Sequence, residues 1–338
     1  MVKKLLSVLT GKAAAIPPIW LMRQAGRYLP EYRALRANAK DFVQFCLTPE
    51  LAVEVTLQPV RRFDLDAAIL FADILLVPHA LRQKVWFAEG EGPRLEPVRD
   101  MAGLAKLAYR PELLAPVMQT IKGVRAALPD RAALIGFAGA PWTVASYMIE
   151  GAGGSDHEIL RTLAWTEGKF FAALMDLLVE ATSAYLIAQA DAGAEALQLF
   201  ESWAGTVPAG LFARAVLEPT ARIVATVKAA HPKIPIIGFP RGAGGWLTRY
   251  AEATGVDGIG VDQMTDITAV KVPGKVALQG NLDPILLLKG GAVMRDEASK
   301  LVTAMAGRPF IFNLGHGVMQ PTPPEQVAEL VRAVRSGA

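Results

Sequence analysis

Within LDAAILFADIL, residues 65–75, the apolar run AAILF (67–71) is uninterrupted, and Asp73 follows it. A strand with one face in water would alternate apolar and polar residues. This one does not, which suits a strand buried on both faces of a parallel sheet. Outward from it, seven more short runs share the character: IWLM (19–22), ALIGF (133–137), EALQLF (195–200), PIIGF (235–239), DGIGV (257–261), VALQG (276–280) and FIFNLG (310–315). Gly, Pro or polar residues end each run, and helix-like stretches lie between them at 101–129, 157–191, 209–230, 284–306 and 323–336. The stretch after 261 has room only for a small helix. Eight such runs predict a closed (β/α)8 barrel of the TIM type, with an open doubly wound sheet as the alternative. KVWFAEGEGPRLEP (84–97) reads as a hairpin outside that repeat. No linker-like or low-complexity tract divides the chain, so residues 1–338 are expected to form one α/β domain.

Of the 338 residues, 52% are hydrophobic and 20% charged, which is the profile of a globular protein with a large core. The formal charge of +3 is not gathered into a Lys/Arg run, so nucleic acid is not an expected partner. A single cysteine, Cys46, excludes an intrachain disulfide and suits a reducing compartment. MVKKLLSVLT (1–10) is too short in apolar residues to be a secretory signal, and no window approaches 18 consecutive apolar residues. The expectation is a cytoplasmic protein without a membrane span.

The residues after each run carry the functional signal. Arg23 and Arg27 follow the first, Asp73 the second, and Pro141, Trp142 and Tyr147 the third. Glu201 and Ser202 follow the fourth, Arg241 the fifth, Asp262 the sixth, Asn281 and Asp283 the seventh, and His316 the eighth. In a β/α barrel these positions converge on the mouth at the C-terminal strand ends, where active sites lie. Two arginines four residues apart around Gly26 suit a ligand with several carboxylates, and a solvated basic helix face is the other reading. Asp73, taken alone, would equally serve as a helix N-cap.

Trp20 and the run Met22-Arg23-Gln24-Ala25-Gly26-Arg27, with GFAGAPWTVASYMIEG (136–151), resemble the two signatures of the uroporphyrinogen decarboxylase family. LDAAILFADIL (65–75), QLFESWAG (198–205), QGNLDP (279–284) and FNLGHG (312–317) extend the resemblance over nearly the whole chain. It implies conversion of the four acetate side chains of uroporphyrinogen III to methyl groups, giving coproporphyrinogen III, with no metal and no organic cofactor. It also implies a homodimer whose clefts face each other. Arg23 and Arg27 would hold substrate carboxylates, helped by the backbone of Gln24, Ala25 and Gly26, and Phe42 would line the pocket. Asp73 would meet the pyrrole N–H groups, while Tyr147, Ser202 and His316 would contact the substrate or position Asp73 and the carboxylates.

The chemistry is coherent beside that resemblance. A carboxylate leaves only if something accepts its electron pair, and no thiamine, pyridoxal or metal motif is visible. The electron-rich pyrrole, protonated at carbon, can be that sink, and a buried carboxylate would steady the cation. For the proton donor, guanidinium holds its proton too tightly, so Tyr147, His316 or an ordered water is easier. Cys46 reads as a buried helix residue, and His79, His157 and His231 make no metal-ligand spacing. GAGG at 151–154 and at 242–245 reads as flexible turns, Arg241 as added charge, Asp262 and Asp283 as helix caps, and QPTPPEQ (320–326) as a helix start. Two alternatives remain at this stage. One is a zinc- or cobalamin-dependent methyltransferase, for which no His-x-Cys motif is present. The other is a non-catalytic tetrapyrrole carrier.

Overall fold

The computed structural model describes residues 3–39, 41–88, 92–154 and 156–336. Seven strands form one curled parallel sheet: β1 (Ala67–Ile69), β4 (Ala133–Gly139), β5 (Ala196–Glu201), β6 (Ile236–Pro240), β7 (Gly258–Gly260), β8 (Ala277–Leu282) and β9 (Phe310–Leu314), adjacent in that order. β2 (Val85–Ala88) and β3 (Gly92–Leu95) form the separate antiparallel hairpin that the sequence predicts, its turn residues 89–91 lying outside the described ones. All the residues of this sheet except Phe200 and Asn281 are buried, as non-alternating runs require. The register is in step around the sheet, with Ile135 opposite Ala196, Leu197 opposite Ile236, Ile237 opposite Gly258 and Leu278 opposite Phe310. The fold is the (β/α)8 barrel, and the doubly wound alternative is set aside.

The eighth position departs from expectation. IWLM is not a full strand: Ile19 makes one isolated parallel bridge to Phe312. Pro17 and Pro18 before it have no N–H, and Arg23 after it turns left-handed at φ +57°, so a ladder has no room to run. On its other side the segment joins the strand leading into β1. Asp66 N–H donates to Ile19 O at 3.0 Å, and Ile19 N–H donates to the Asp66 carboxylate at 2.9 Å. A side chain therefore completes the seam that closes the barrel. Inside, Trp20 Nε1 donates to Gln279 at 3.0 Å and Gln279 donates to Gln198 at 3.1 Å, a buried polar chain from the first position to β8 and β5.

Several expected helices are broken. The stretch 157–191 forms Glu158–Thr166 and Gly168–Asp191, and 284–306 forms Pro284–Lys289 and Gly291–Ala304, parted at Gly290 with φ +65°. After β7 only a short turn, Ile267–Ala269, follows. The helix Gly168–Asp191 is long and apolar enough to cross a membrane, which a count of consecutive apolar residues passed over because Asp176 and Glu180 interrupt it. It packs on β4 and on the helices Pro141–Glu150 and Glu218–Ala230, with 61% of its most apolar window buried, as a core helix does.

Replacing Asp66 with Leu removes the acceptor for the Ile19 N–H at the seam. Unfolding in urea should show stability reduced by about 1–3 kcal/mol, and an unchanged midpoint would show that the seam does not need this bond.

Candidate active site

The loop that follows the seam is built around Gln24. Its side chain accepts from Leu21 N–H at 3.1 Å and donates to Ala67 O at 3.1 Å. Its own N–H donates to Leu21 O, and its carbonyl accepts the Tyr28 hydroxyl at 2.7 Å. Every polar group of this fully buried residue is thus engaged within the protein. Gln24 shapes the loop rather than offering groups to a ligand. The next three N–H groups, of Ala25, Gly26 and Arg27, have no partner among the described residues and are available to an anion. Arg23 and Arg27 are exposed and form no ion pair among the described residues.

Arg23 is set by strain and by room. Its left-handed backbone is unfavourable for a residue with a Cβ, on the order of 1 kcal/mol. Met22, just before it, is tied to the end of β9: its N–H donates to Asn313 Oδ1 at 3.0 Å and its carbonyl accepts from Val318 at 2.9 Å. The Arg23 side chain then lies over Gly317, where a Cβ would come within 2.3 Å of Arg23 Cδ and 3.0 Å of its Cβ.

Asp73 follows β1. Its carboxylate accepts the Leu75 N–H at 2.8 Å in a turn ahead of the helix Leu76–Ala80; the N-cap of that helix is Leu75, without a side-chain cap, so the cap reading of Asp73 does not hold. It has no ion-pair partner within 4 Å among the described residues. Burial raises its pKa, opposed by the Leu75 N–H and by the charge of Arg23. One oxygen accepts from the turn, and the other has no partner among the described residues. Phe71, two residues earlier, is held through its N–H by the Thr56 hydroxyl at 3.0 Å and packs edge-on against Phe42 at 6.0 Å. Phe42 also meets Phe87 of the hairpin at 4.7 Å. Phe71, Phe42 and Phe87 thus form a chain of ring contacts that starts two residues before Asp73.

Tyr147 projects from the helix Pro141–Glu150 after β4, half-buried. Burial raises its pKa and the Asp73 charge raises it further, while the Trp203 indole and Arg23 ease ionisation. The indole N–H nonetheless falls short of a well-formed hydrogen bond. Ser202 follows β5, half-buried, its hydroxyl without a partner among the described residues. Phe200 beside it is the one strand residue of β5 left partly open, against Phe137 and Phe239.

His316 follows β9. Burial, together with the charges of Arg23 and Arg241, lowers its pKa to about 4 against the pull of Asp262, so the imidazole is neutral at physiological pH. Its Nδ1 is buried without a partner. Arg241 acts electrostatically on both Arg23 and His316, which places it in the same group. Asp283 caps its helix through Ile285 N–H, as expected. Asp262 does not cap a helix. Its carboxylate accepts from Gly242 at 2.6 Å and Met264 at 2.9 Å, while the Asn281 amide donates to Asp262 O at 2.9 Å. Together they bind the loops after β6, β7 and β8 into one rim.

Arg23, Asp73, Tyr147, Arg241 and His316 are thus gathered at the C-terminal end of the barrel from five strand ends. Cys46 is buried at the end of its helix, as expected. His157 is buried at a helix start with Nδ1 against Thr206 Oγ1 at 3.2 Å, and His231 pairs with Asp191 at 2.9 Å. Among the described residues no three His, Cys, Asp or Glu side chains group so as to hold a metal ion. The GAGG at 242–245 lines a separate open cavity of about 560 Å³ with Ala204, Phe212 and Arg249, beside the rim and away from Asp73. Gly317, Trp203 and Phe200 were not singled out in the sequence reading, and Glu201 was named only for its place at the mouth. Each lies next to a residue it picked out, but what they do depends on partners distant in the chain.

The chain matches the family described as uroporphyrinogen decarboxylase (URO-D) over residues 2–337. It belongs to that family. It is 51% identical to the uroporphyrinogen decarboxylase of Acidiphilium cryptum, covering 99% of this chain and 94% of that protein. It is 48% identical to that of Rhodospirillum rubrum, over 99% of this chain and 97% of that one. Among solved structures, a methyltransferase from Methanosarcina mazei superposes with a TM-score of 0.79 at 19% identity, covering 98% of this chain and 97% of that one. At that identity the likeness is one of fold alone.

Two outcomes follow from this geometry. Between pH 6.5 and about 4 the unfolded chain binds a proton at His316 that the folded protein does not. Stability should therefore fall as the pH drops through that window, and NMR titration should show the His316 ring neutral until near pH 4. Gly317→Ala should push Arg23 aside and weaken binding of a porphyrin octacarboxylate about tenfold, near 1.4 kcal/mol, in a fluorescence titration. Undiminished affinity would show that Arg23 is not placed by this contact.

Proposed function

We propose that the protein removes the carboxyl groups of the four acetate side chains of uroporphyrinogen III, giving coproporphyrinogen III. The observation that carries the reading is Asp73: a half-buried carboxylate at the strand ends with no ion-pair partner, and with Arg23, itself in no ion pair among the described residues, close enough to act on it. A flexible cyclic tetrapyrrole carries four inward N–H donors and a rim of carboxylates. Asp73 accepts from the N–H groups at the centre, while Arg23, Arg27 and the open N–H groups of Ala25, Gly26 and Arg27 take carboxylates at the edge. Arg241 adds positive charge on the facing side. Phe42, Tyr147, Ser202 and His316 complete the walls.

The reaction then needs no electron sink beyond the substrate. A proton added to a pyrrole α-carbon makes the ring an iminium-like cation. The acetate C–C bond breaks, its electron pair enters the ring as CO2 leaves, and an exocyclic methylene remains. A second proton converts that methylene to methyl, and loss of the first restores the pyrrole. A propionate has one more CH2 between its carboxylate and the ring, so its electrons cannot reach the cation, and this limits the chemistry to acetates.

Asp73 steadies the cation. Two unit charges 4 Å apart interact by about 4 kcal/mol at an effective dielectric near 20, roughly a thousandfold in rate when the interaction belongs to the transition state alone. With His316 held neutral, an imidazolium is a poor choice of proton donor near neutral pH, and Tyr147 or an ordered water is favoured. The same reading takes the protein as a cytoplasmic homodimer.

Purified protein should convert uroporphyrinogen to coproporphyrinogen under reducing conditions, followed by chromatography of the oxidised porphyrins. Asp73→Asn should keep the fold and lose about a thousandfold in kcat. A near-normal kcat in that variant would remove Asp73 from the mechanism.

A further inference from the structure

Glu201 ends β5 with a fully buried carboxylate and no ion-pair partner among the described residues. Its contacts all come from one helix end. The helix Pro141–Glu150 begins with a proline that has no N–H, and Ala140 before it has no side chain able to cap. The free donors there are Trp142 and Thr143. Glu201 accepts Trp142 N–H at 3.2 Å, Thr143 N–H at 2.6 Å and the Thr143 hydroxyl in a short contact. The cap is supplied from a neighbouring strand, 58 residues along the chain.

Thr143 passes the connection on. Its hydroxyl oxygen also accepts the Trp203 N–H at 3.2 Å. Ser202 therefore sits between two residues that are both tied to the same helix turn. Tyr147 lies one turn beyond Thr143 on the same face of that helix, with its ring near Gly153 and its hydroxyl toward the Trp203 indole. Trp203 is braced in turn, with its carbonyl accepting from the Thr206 hydroxyl at 2.8 Å and its ring 5.1 Å from His157. Packing alone does not call for a carboxyl group in this place. Burial pushes Glu201 up to about 8 in spite of three donors, where an apolar side chain would carry no such penalty.

We propose that Glu201 and Thr143 act as paired positioning residues for the decarboxylation, fixing Tyr147 and Ser202 relative to each other on the cleft wall. The inference rests on the function proposed above, and its test is arranged to separate the two. Thr143→Val keeps the shape and deletes the hydroxyl, whereas Thr143→Ser keeps the hydroxyl. Crystal structures should show Tyr147 and Trp203 displaced by about 1 Å in the Val variant and unmoved in the Ser variant, and a shift of that size should lower kcat at least about tenfold. KM for uroporphyrinogen should stay within about twofold of the wild type, because carboxylate binding by Arg23 and Arg27 is untouched. Glu201→Leu, which removes both acceptor oxygens from the helix donors, should show the same displacement and the same loss in kcat. An unmoved Tyr147 in Thr143→Val, a wild-type kcat in either Thr143→Val or Glu201→Leu, or a Ser variant as impaired as the Val variant overturns the proposal. A wild-type protein with no turnover of uroporphyrinogen defeats the function above, and the displacement of Tyr147 then still decides this inference.

Discussion

A carboxylate kept from water without a contacting cation is costly, and around Asp73 the whole cleft is arranged on that constraint. One oxygen is satisfied by the Leu75 N–H and the other faces the cleft, with Arg23 near enough to act on it but not paired to it. On the function proposed above, a direct ion pair would quench the charge that a cationic substrate ring is to feel. Arginine at the edge and aspartate at the centre therefore have to be close yet separate. Fixing them at such a distance requires rigid supports on both sides, and the barrel supplies them as consecutive strand ends.

Those supports are polar groups used up inside the protein. Gln24 spends all of its hydrogen-bonding capacity on the arginine loop, Asp262 and Asn281 hold the rim after β6 to β8, and Glu201 with Thr143 holds the helix that bears Tyr147. At the mouth, the guanidinium groups of Arg23 and Arg27 form no ion pair, and the Ser202 hydroxyl and three successive N–H groups have no partner, among the described residues.

Much of this was legible in the sequence because strands buried on both faces leave uninterrupted apolar runs, and the residues after them must lie at the mouth. Seven of the eight runs became strands of the sheet. IWLM did not, because its pairing is limited by two prolines on one side and a left-handed arginine on the other, and the sequence does not announce a left-handed Arg. Gln24 lies inside the densest motif, yet nothing local says that its amide turns inward to Ala67, 43 residues on. The same holds for Glu201. An acid after a strand looks like every other mouth residue until the helix cap it completes is seen in space. Asp262 departs from expectation for a related reason: an aspartate after a strand suggests a cap, but only the short turn Ile267–Ala269 follows, and Asp266 caps that.

At the seam, Ile19 makes one isolated bridge to β9 and, on its other side, one backbone and one side-chain hydrogen bond with Asp66. Elsewhere neighbouring strands pair at two to five successive positions. Local opening in such a structure begins where the fewest bonds must break together. Warming or mild denaturant would then loosen the arginine loop first, while most of the sheet was still intact.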